Sequence, residues 1–180
     1  MTDRQRPPLP YGFLPEVPAF VLESDDVAEG EVLDARHRYD GGGLGGGNLS
    51  PELHWSGFPS ATAGFAVTCF DPDAPTGSGF WHWVLFDLPA EVTRLRRGAG
   101  SGAPGALPPG AHEARNDMGT HGYVGAAPPE GHGPHRYCFA VHALDVATLG
   151  LGADAPPALV GFNLTFHTLA RALLTPVYGR

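Results

Sequence analysis

Short segments of alternating apolar residues, separated by turns rich in glycine and proline, dominate this sequence. The chain has 26 glycines and 19 prolines among its 180 residues, and both residue types end strands and helices more often than they continue them. Residues 62–71, 81–88 and 135–145 alternate with the period of a β-strand. The pattern predicts a mainly β protein in which antiparallel sheets pack as a two-sheet sandwich.

Three of the predicted strands carry polar side chains at one end of an apolar face. The polar residues are Asp71, His82 and the pair His135 and Tyr137. The faces that they continue are Phe65, Val67 and Cys69 for Asp71, then Val84, Phe86 and Leu88 for His82, then Phe139, Val141 and Ala143 for His135 and Tyr137. Trp81 and Trp83 alternate with His82 and are predicted to share the opposite face. We therefore expect titratable groups at the edge of a core.

The end of the chain has a helical rhythm. Residues 158–174 predict one amphipathic helix that docks on a sheet and covers one end of the sandwich. Its docking stripe is predicted to be Leu159, Phe162, Phe166, Leu169 and Leu173. Residues 18–23 and 31–39 predict early strands, and residues 1–15 a flexible N-terminal segment. We interpret residues 1–180 as a single domain, since this length is usual for one.

The charge and the apolar content exclude several classes of protein. A formal net charge of −8 argues against binding to nucleic acid or to an anionic membrane, because both depend on clustered Lys and Arg. No signal-peptide pattern and no run of about 18 apolar residues occurs, so we expect a cytoplasmic protein without integral membrane association. Cys69 and Cys138 fall inside predicted strands and are expected to be reduced core residues.

Seven short motifs occur in an order that resembles the phosphatidylethanolamine-binding protein family, also called the Raf kinase inhibitor-like family, and in particular its bacterial branch. They are Asn48-Leu49-Ser50-Pro51-Glu52-Leu53 with Trp55, Asp71-Pro72-Asp73-Ala74-Pro75, Gly79-Phe80-Trp81-His82-Trp83-Val84, Asn116-Asp117 with Gly119, Gly122-Tyr123 with Gly125 and Pro128-Pro129, His135-Arg136-Tyr137, and Tyr178-Gly179-Arg180. The resemblance implies a Greek-key β-sandwich with peripheral helices and a small anion-binding pocket near one end. It also implies a cis Ala74–Pro75 bond and neither a metal nor another cofactor.

The candidate site follows from the chemistry of these side chains. His82 and His135 can donate hydrogen bonds to an oxyanion, the Tyr137 hydroxyl can do the same, and Asp71 can accept from an imidazole. Alternatively, the histidines are core residues and Asp71 forms an Asx turn, although Asp73 suits that turn better.

The resemblance further implies that backbone near Pro75, Gly125 and Pro128 lines the pocket. Residues 125–129 read Gly-Ala-Ala-Pro-Pro, where bacterial members usually have Gly-Pro-Cys-Pro-Pro, so the shape of this wall is expected to differ.

Three functional classes remain open. The first is a non-catalytic binding protein for a small anionic, phosphate-bearing ligand, whose affinity rises as the pH falls and the imidazoles gain protons. The second is an interaction protein that inhibits a kinase or a protease. The third is a metal-dependent or hydrolytic enzyme, since two His and one carboxylate can form a metal triad. A homodimer, if it forms, is expected to be weak.

Overall fold

The computed structural model describes residues 6–103 and 105–180, and within them the chain forms ten β-strands and one α-helix. The elements are β1 (Val21–Glu23), β2 (Leu53–Ser56), β3 (Gly64–Asp71), β4 (Phe80–Pro89), β5 (Arg94–Leu95), β6 (His112–Glu113), β7 (His135–Arg136), β8 (Cys138–Leu144), α1 (Pro157–His167), β9 (Thr168–Leu174) and β10 (Val177–Tyr178). Short 3-10 helices occupy Pro10–Gly12 and Ala35–His37.

The strands pair antiparallel in three sheets. The largest has five strands in the order β6-β4-β3-β8-β9, a second has the order β1-β2-β5, and β7 pairs with β10. The main core contains Leu53 and Trp55 from β2 together with Phe65 and Val67 from β3, so it lies between the two larger sheets. The predicted mainly β, antiparallel sandwich is confirmed.

Strands β3 and β8 have the predicted apolar faces. The main core takes Phe65, Val67 and Cys69 from β3, and Tyr137, Phe139, Val141 and Ala143 from β8 and the residue before it. The alternate residues of both strands face the other side of the five-stranded sheet, where a smaller apolar cluster contains Ala66, Leu144 and two residues of α1, Val160 and Leu164. Both cysteines are free and buried, as predicted.

Strand β4 departs from the prediction because its pairing with β3 shifts register. Cys69 pairs with Trp83 and Phe70 pairs with Trp81, which leaves His82 as an extra residue on β4. Such a bulge reverses the alternation of faces along the strand. Trp83 consequently lies in the main core, while Trp81 packs on Phe70 with ring centroids 4.6 Å apart. The prediction that the two tryptophans share a face is wrong.

A second register shift occurs further along the same strand, at the residues that pair with Phe65 and Val67. Val84 and Phe86 belong to the smaller cluster, whereas Leu88 belongs to the main core. The predicted common face of His82 with these three residues is therefore wrong. The bulges leave no signal in the apolar pattern, because both faces of this central strand are buried.

The predicted C-terminal helix is only partly present. Helix α1 ends at His167, and residues 168–174 form the edge strand β9 instead. Thr168 ends the helix: its backbone N–H and its hydroxyl both bond to the carbonyl of Leu164. Pairing with β8 then supplies partners for the backbone of the remaining residues.

The docking face of α1 also differs from the prediction. Pro157, Val160 and Leu164 are buried, whereas Leu159, Phe162 and Phe166 are 41%, 62% and 67% exposed. Both stripes have helical spacing and are apolar, so periodicity could not choose between them.

The N-terminal region is less regular than predicted. Within 18–23 the strand is confined to Val21–Glu23, with an isolated bridge from Ala19 to Arg171. The predicted strand at 31–39 is wrong, since the segment contains a 3-10 helix between two isolated bridges. Residues 1–5 of the predicted flexible segment lie outside the described residues. Among the described residues, no helix is long and apolar enough to span a bilayer.

Two leucines of α1 test which face is docked. Leu164→Ala removes a buried side chain and should lower the free energy of unfolding by about 2–5 kcal/mol. Leu159→Ala, on the exposed stripe, should change it by less than about 1 kcal/mol. Urea unfolding followed by circular dichroism measures both variants. Equal losses would mean that the exposed stripe is also packed in solution.

Candidate ligand-binding site

A buried hydrogen bond between Asp71 and His135 lies at the centre of the candidate site. Asp71 ends β3, His135 begins β7, and the imidazole Nδ1 lies 2.7 Å from the carboxylate Oδ2. The two residues are only 3% and 1% exposed. Because a carboxylate accepts hydrogen bonds, Nδ1 carries a proton. Nε2 is then the ring nitrogen whose protonation can change.

The second ring nitrogen of His135 meets another histidine. His132 Nδ1 lies 3.0 Å from His135 Nε2, with the ring centroids 5.2 Å apart. His132 lies in a turn of glycines and prolines without the spacing of a metal ligand, so the sequence pattern assigns it no role. The structure places it at the end of a hydrogen-bonded array that runs from Asp71 through His135 to a half-buried position. Such an array can transmit a proton or orient its central ring.

The turn that follows β3 is held by both of its aspartates. Asp71 Oδ1 accepts from the backbone N–H of Asp73 at 2.8 Å, so Asp71 itself makes the Asx turn that we had assigned to Asp73. Asp73 instead binds Arg136, with contacts of 2.8–2.9 Å from the guanidinium and the backbone N–H. Burial alone would raise the pKa of Asp73, but the Arg136 hydrogen bonds outweigh it and hold that pKa below its usual value. The pair fixes the carboxylate of Asp71 against β7.

His82 reaches the site from the bulge in β4. Its Nδ1 lies 2.8 Å from the carbonyl of Val124, which can only accept, so Nδ1 carries the proton. Burial lowers the pKa of His82 below its usual value, against the opposing effects of the Val124 carbonyl and of Asp71. The free ring is therefore neutral near pH 7, with a lone pair on Nε2.

Tyr137 contributes a hydroxyl without a partner. The ring packs edge-on against His82 with centroids 5.1 Å apart, and the residue is 1% exposed. The hydroxyl oxygen is buried and makes no hydrogen bond with the described residues. Burial raises the pKa of Tyr137, and the negative charge of Asp71 raises it further, so the group stays a donor. A buried hydroxyl without a partner has lost its hydrogen bonds to water and has gained no hydrogen bond within the protein. The Tyr137 hydroxyl is therefore a candidate ligand contact.

These groups line one cavity of about 550 Å³. All the residues predicted for the site lie on its wall, namely Asp71, Pro75, His82, Gly125, Pro128, His135 and Tyr137. Further lining residues come from segments that sequence analysis did not assign to the site, and they include Tyr39, Gly41, Gly42, Leu44, Phe80, Met118 and Arg180. Apolar side chains make up much of this wall, and Arg180 places a positive charge at it.

One wall depends on close contact between two loops. A Cβ at Gly125 would lie 2.3 Å from the backbone carbon of Arg38, so only glycine fits there. The side-chain oxygen of Asn48 accepts from the Gly125 N–H at 2.7 Å, and Asn48 adopts a positive φ of 52° to reach it. The hydrogen bond between Asn48 and Gly125 thus holds the two loops together, although 77 residues separate them.

The Ala74–Pro75 peptide bond is trans, since no described residue has a cis bond. The expectation of a cis bond is therefore wrong. The corner is already closed by the Asp71–Asp73 turn and by the Asp73–Arg136 pair, which place Asp71 without it.

The alternative considered from the sequence was a metal triad of two histidines and one carboxylate. Among the described residues, the group whose ligand atoms converge within 4.8 Å is Asp25, Glu52 and His54, not Asp71 with the two histidines. Arg94 already pairs with Asp25 at 2.6 Å and with Glu52 at 2.9 Å. The guanidinium therefore supplies the positive charge that this acidic group attracts.

Comparison with known proteins gives the family. The profile described as phosphatidylethanolamine-binding protein matches residues 23–179. The chain is 49% identical over 158 residues to the UPF0098 protein YbhB of Escherichia coli K12, a match that covers 88% of this chain and 99% of that protein.

Solved structures agree with the sequence matches. The crystal structure of Escherichia coli YbcL superposes with a TM-score of 0.87 at 46% identity, covering 89% of this chain and 98% of that one. A putative phosphatidylethanolamine-binding protein homologue from Chlamydia trachomatis superposes with a TM-score of 0.74 at 25% identity, covering 90% and 98%. The chain described above belongs to the phosphatidylethanolamine-binding protein family.

Proposed function

We propose that this protein binds a small anionic, phosphate-bearing ligand in the cavity between Asp71, His82, His135 and Tyr137. The observation that carries the proposal is the buried Tyr137 hydroxyl, which makes no hydrogen bond with the described residues, in a residue that lines the cavity. A phosphate oxygen offers the acceptor that this donor lacks. The name of the family, taken from proteins that bind phosphatidylethanolamine, supports the same ligand chemistry.

The charges around the cavity suit an anion with a polar head and an apolar body. Arg180 lies at the wall, its Nε donating to the Pro128 carbonyl at 2.7 Å, and its remaining N–H groups can face a ligand. The carboxylate of Asp71 accepts a hydrogen bond from His135, and this hydrogen bond limits the repulsion between Asp71 and an anion. Leu44, Phe80 and Met118 provide apolar surface for the rest of the ligand.

His82 sets the protonation state that the ligand must have. Because its Nδ1 donates to Val124, neutral His82 presents an acceptor and can bind only a ligand atom that bears a proton. A protonated His82 instead presents a donor to a fully ionised phosphate or sulfate. Binding a dianion should therefore add a proton to His82.

We infer a binding role without catalysis, and a cytoplasmic location. The described residues that line the cavity include neither serine nor cysteine. The one threonine among them, Thr76, donates its hydroxyl to the Gly79 carbonyl. The cavity therefore offers no activated nucleophile next to His135.

Removing the Tyr137 hydroxyl tests the proposal. Tyr137→Phe keeps the ring, and since the hydroxyl has no partner among the described residues, the free energy of unfolding should not fall. Binding of a phosphomonoester such as phosphoethanolamine should weaken by about 10–100-fold, the effect of losing a hydrogen bond to a charged group. Titration calorimetry and thermal unfolding measure the two quantities.

A matched control is Tyr123→Phe. The Tyr123 hydroxyl donates to the His37 carbonyl at 2.7 Å, so its loss should cost about 1 kcal/mol of stability and leave affinity unchanged. If Tyr137→Phe binds phosphoethanolamine as tightly as the parent protein does, the hydroxyl is not a ligand contact and the proposed site is wrong.

The pH dependence of sulfate binding tests the role of His82. Burial holds the pKa of free His82 below its usual value, and a bound anion should raise it. Between the free and bound values, binding takes up a proton, so affinity should rise as the pH falls through this window and level off below the free pKa. Sulfate is preferred as a probe because a phosphomonoester itself titrates near pH of about 6.

Calorimetry in two buffers of different ionisation enthalpy counts the protons taken up. His82→Gln keeps a hydrogen-bonding group but cannot titrate, and it should bind sulfate with a flat pH profile over the same range. Two results together would show that His82 does not face the anion. They are a pH dependence of sulfate affinity that is the same in His82→Gln as in the parent protein, and no proton uptake by the parent protein on binding.

A further inference from the structure

A second, smaller cavity of about 240 Å³ adjoins the cavity of the candidate site, and we call it the Tyr39 cavity. Its wall includes Tyr39, Asn48, Met118, Thr120, His121 and Val124. Tyr39, Met118 and Val124 line both cavities, so the two share one wall. Val124 also joins this wall to the proposed anion site, because its carbonyl and its N–H both bond to His82. A ligand held at His82 can therefore extend past Val124 and Met118 into the Tyr39 cavity.

Tyr39 and Asn48 lie on the two arms of one loop, and both arms are tied to the segment that follows Val124. The Tyr39 N–H donates to the Ala126 carbonyl at 3.0 Å, and the Asn48 side-chain oxygen accepts from the Gly125 N–H at 2.7 Å. The loop and this segment are therefore fixed against each other. Both arms present a side chain to the same cavity.

Two polar groups of this wall have no hydrogen-bond partner among the described residues. Asn48 uses its Oδ1 for Gly125, and its Nδ2 makes no hydrogen bond with a described residue. The hydroxyl of the half-buried Tyr39 makes none either. Both atoms remain accessible to solvent, in contrast to the enclosed hydroxyl of Tyr137. The amide nitrogen can donate, and the phenol can both donate and accept.

The Tyr39 cavity is polar but carries no formal charge of its own. The described residues that line it include no Lys, Arg, Asp or Glu. His121 Nδ1 donates to the Glu113 carbonyl at 2.7 Å, and a carboxylate oxygen of Asp154 lies 3.6 Å from His121 Nε2, so a second proton on this ring meets a counter-charge. A charged ligand group would lose water here without gaining an ion pair, whereas a neutral polar group needs only hydrogen bonds.

We propose that the Tyr39 cavity is a second subsite for the same ligand and that it takes an uncharged hydrogen-bonding group, such as a hydroxyl. The inference rests on the phosphate-binding function proposed above. The phosphate lies between His82 and Tyr137, the middle of the ligand passes the flexible apolar side chain of Met118, and the far end reaches Tyr39 and Asn48. A hydroxyl can accept from Asn48 Nδ2 and donate to the Tyr39 oxygen. The ligand class is thus a phosphate ester with a neutral polar group at its other end.

Alkyl phosphates of increasing chain length test the subsite. At each length, a terminal methyl, hydroxyl or ammonium group is compared by titration calorimetry on the full chain. At the length that reaches Tyr39, the hydroxyl form should bind about 2–10-fold more tightly than the methyl form, the effect of one neutral hydrogen bond. The ammonium form should not share this gain, because the subsite offers no counter-charge.

Tyr39→Phe removes the hydroxyl and keeps the ring. In this variant the hydroxyl and methyl forms should bind alike at every chain length. Tyr178→Phe is the matched control, because Tyr178 packs its ring on the Arg38 guanidinium and lines neither cavity. It should keep the preference for the hydroxyl form.

The two proposals fail in different ways. A parent protein that binds inorganic phosphate and alkyl phosphates, but prefers the hydroxyl form at no chain length, would overturn the second subsite alone. A preference that Tyr39→Phe does not change, or a stronger preference for the ammonium form, would do the same. No binding of any phosphate by the parent protein would overturn the proposed function, and the second subsite with it.

Discussion

The buried hydrogen bond between Asp71 and His135 is the interaction on which the candidate site depends. It joins the end of β3 to the beginning of β7 across 64 residues of sequence. The same carboxylate closes the turn to Asp73, and Asp73 binds the residue after His135. Removing either partner would leave a polar or charged group buried without compensation, which is more costly than the bond itself is stabilising.

The faces of a strand were predictable where the alternation of residues was uninterrupted. The faces of β3 and β8 were predictable because each residue follows the two-residue period from one end of the strand to the other. Strand β4 was not, because its bulge at His82 adds one residue without changing the apolar composition. The end of α1 was hidden for a similar reason: Thr168 stops the helix without the glycine or proline that would have marked it.

The site was predictable to the extent that regular strands deliver it. Asp71, His82, His135 and Tyr137 lie on or beside strands, and the motifs of the family resemblance identified them. His132, Leu44 and Met118 come from irregular segments whose position depends on distant contacts, which local pattern does not encode. Arg180 was visible as part of a motif, and its positive charge in an acidic chain was the signal that could have assigned it to an anion pocket.

The contact between Asn48 and Gly125 has a consequence for how the cavity comes into being. The Asn48–Gly125 contact joins residues that are 77 positions apart in the sequence. The Asp71–His135 bond joins residues that are 64 positions apart. Contacts of such long range form only as the whole domain folds, so a partly folded chain has no cavity to offer. A ligand that occupies the cavity therefore selects the native state globally, and its free concentration relative to its dissociation constant sets how much of the protein stays folded. For the ligand proposed above, a higher concentration in the cell would therefore lengthen the lifetime of the folded protein.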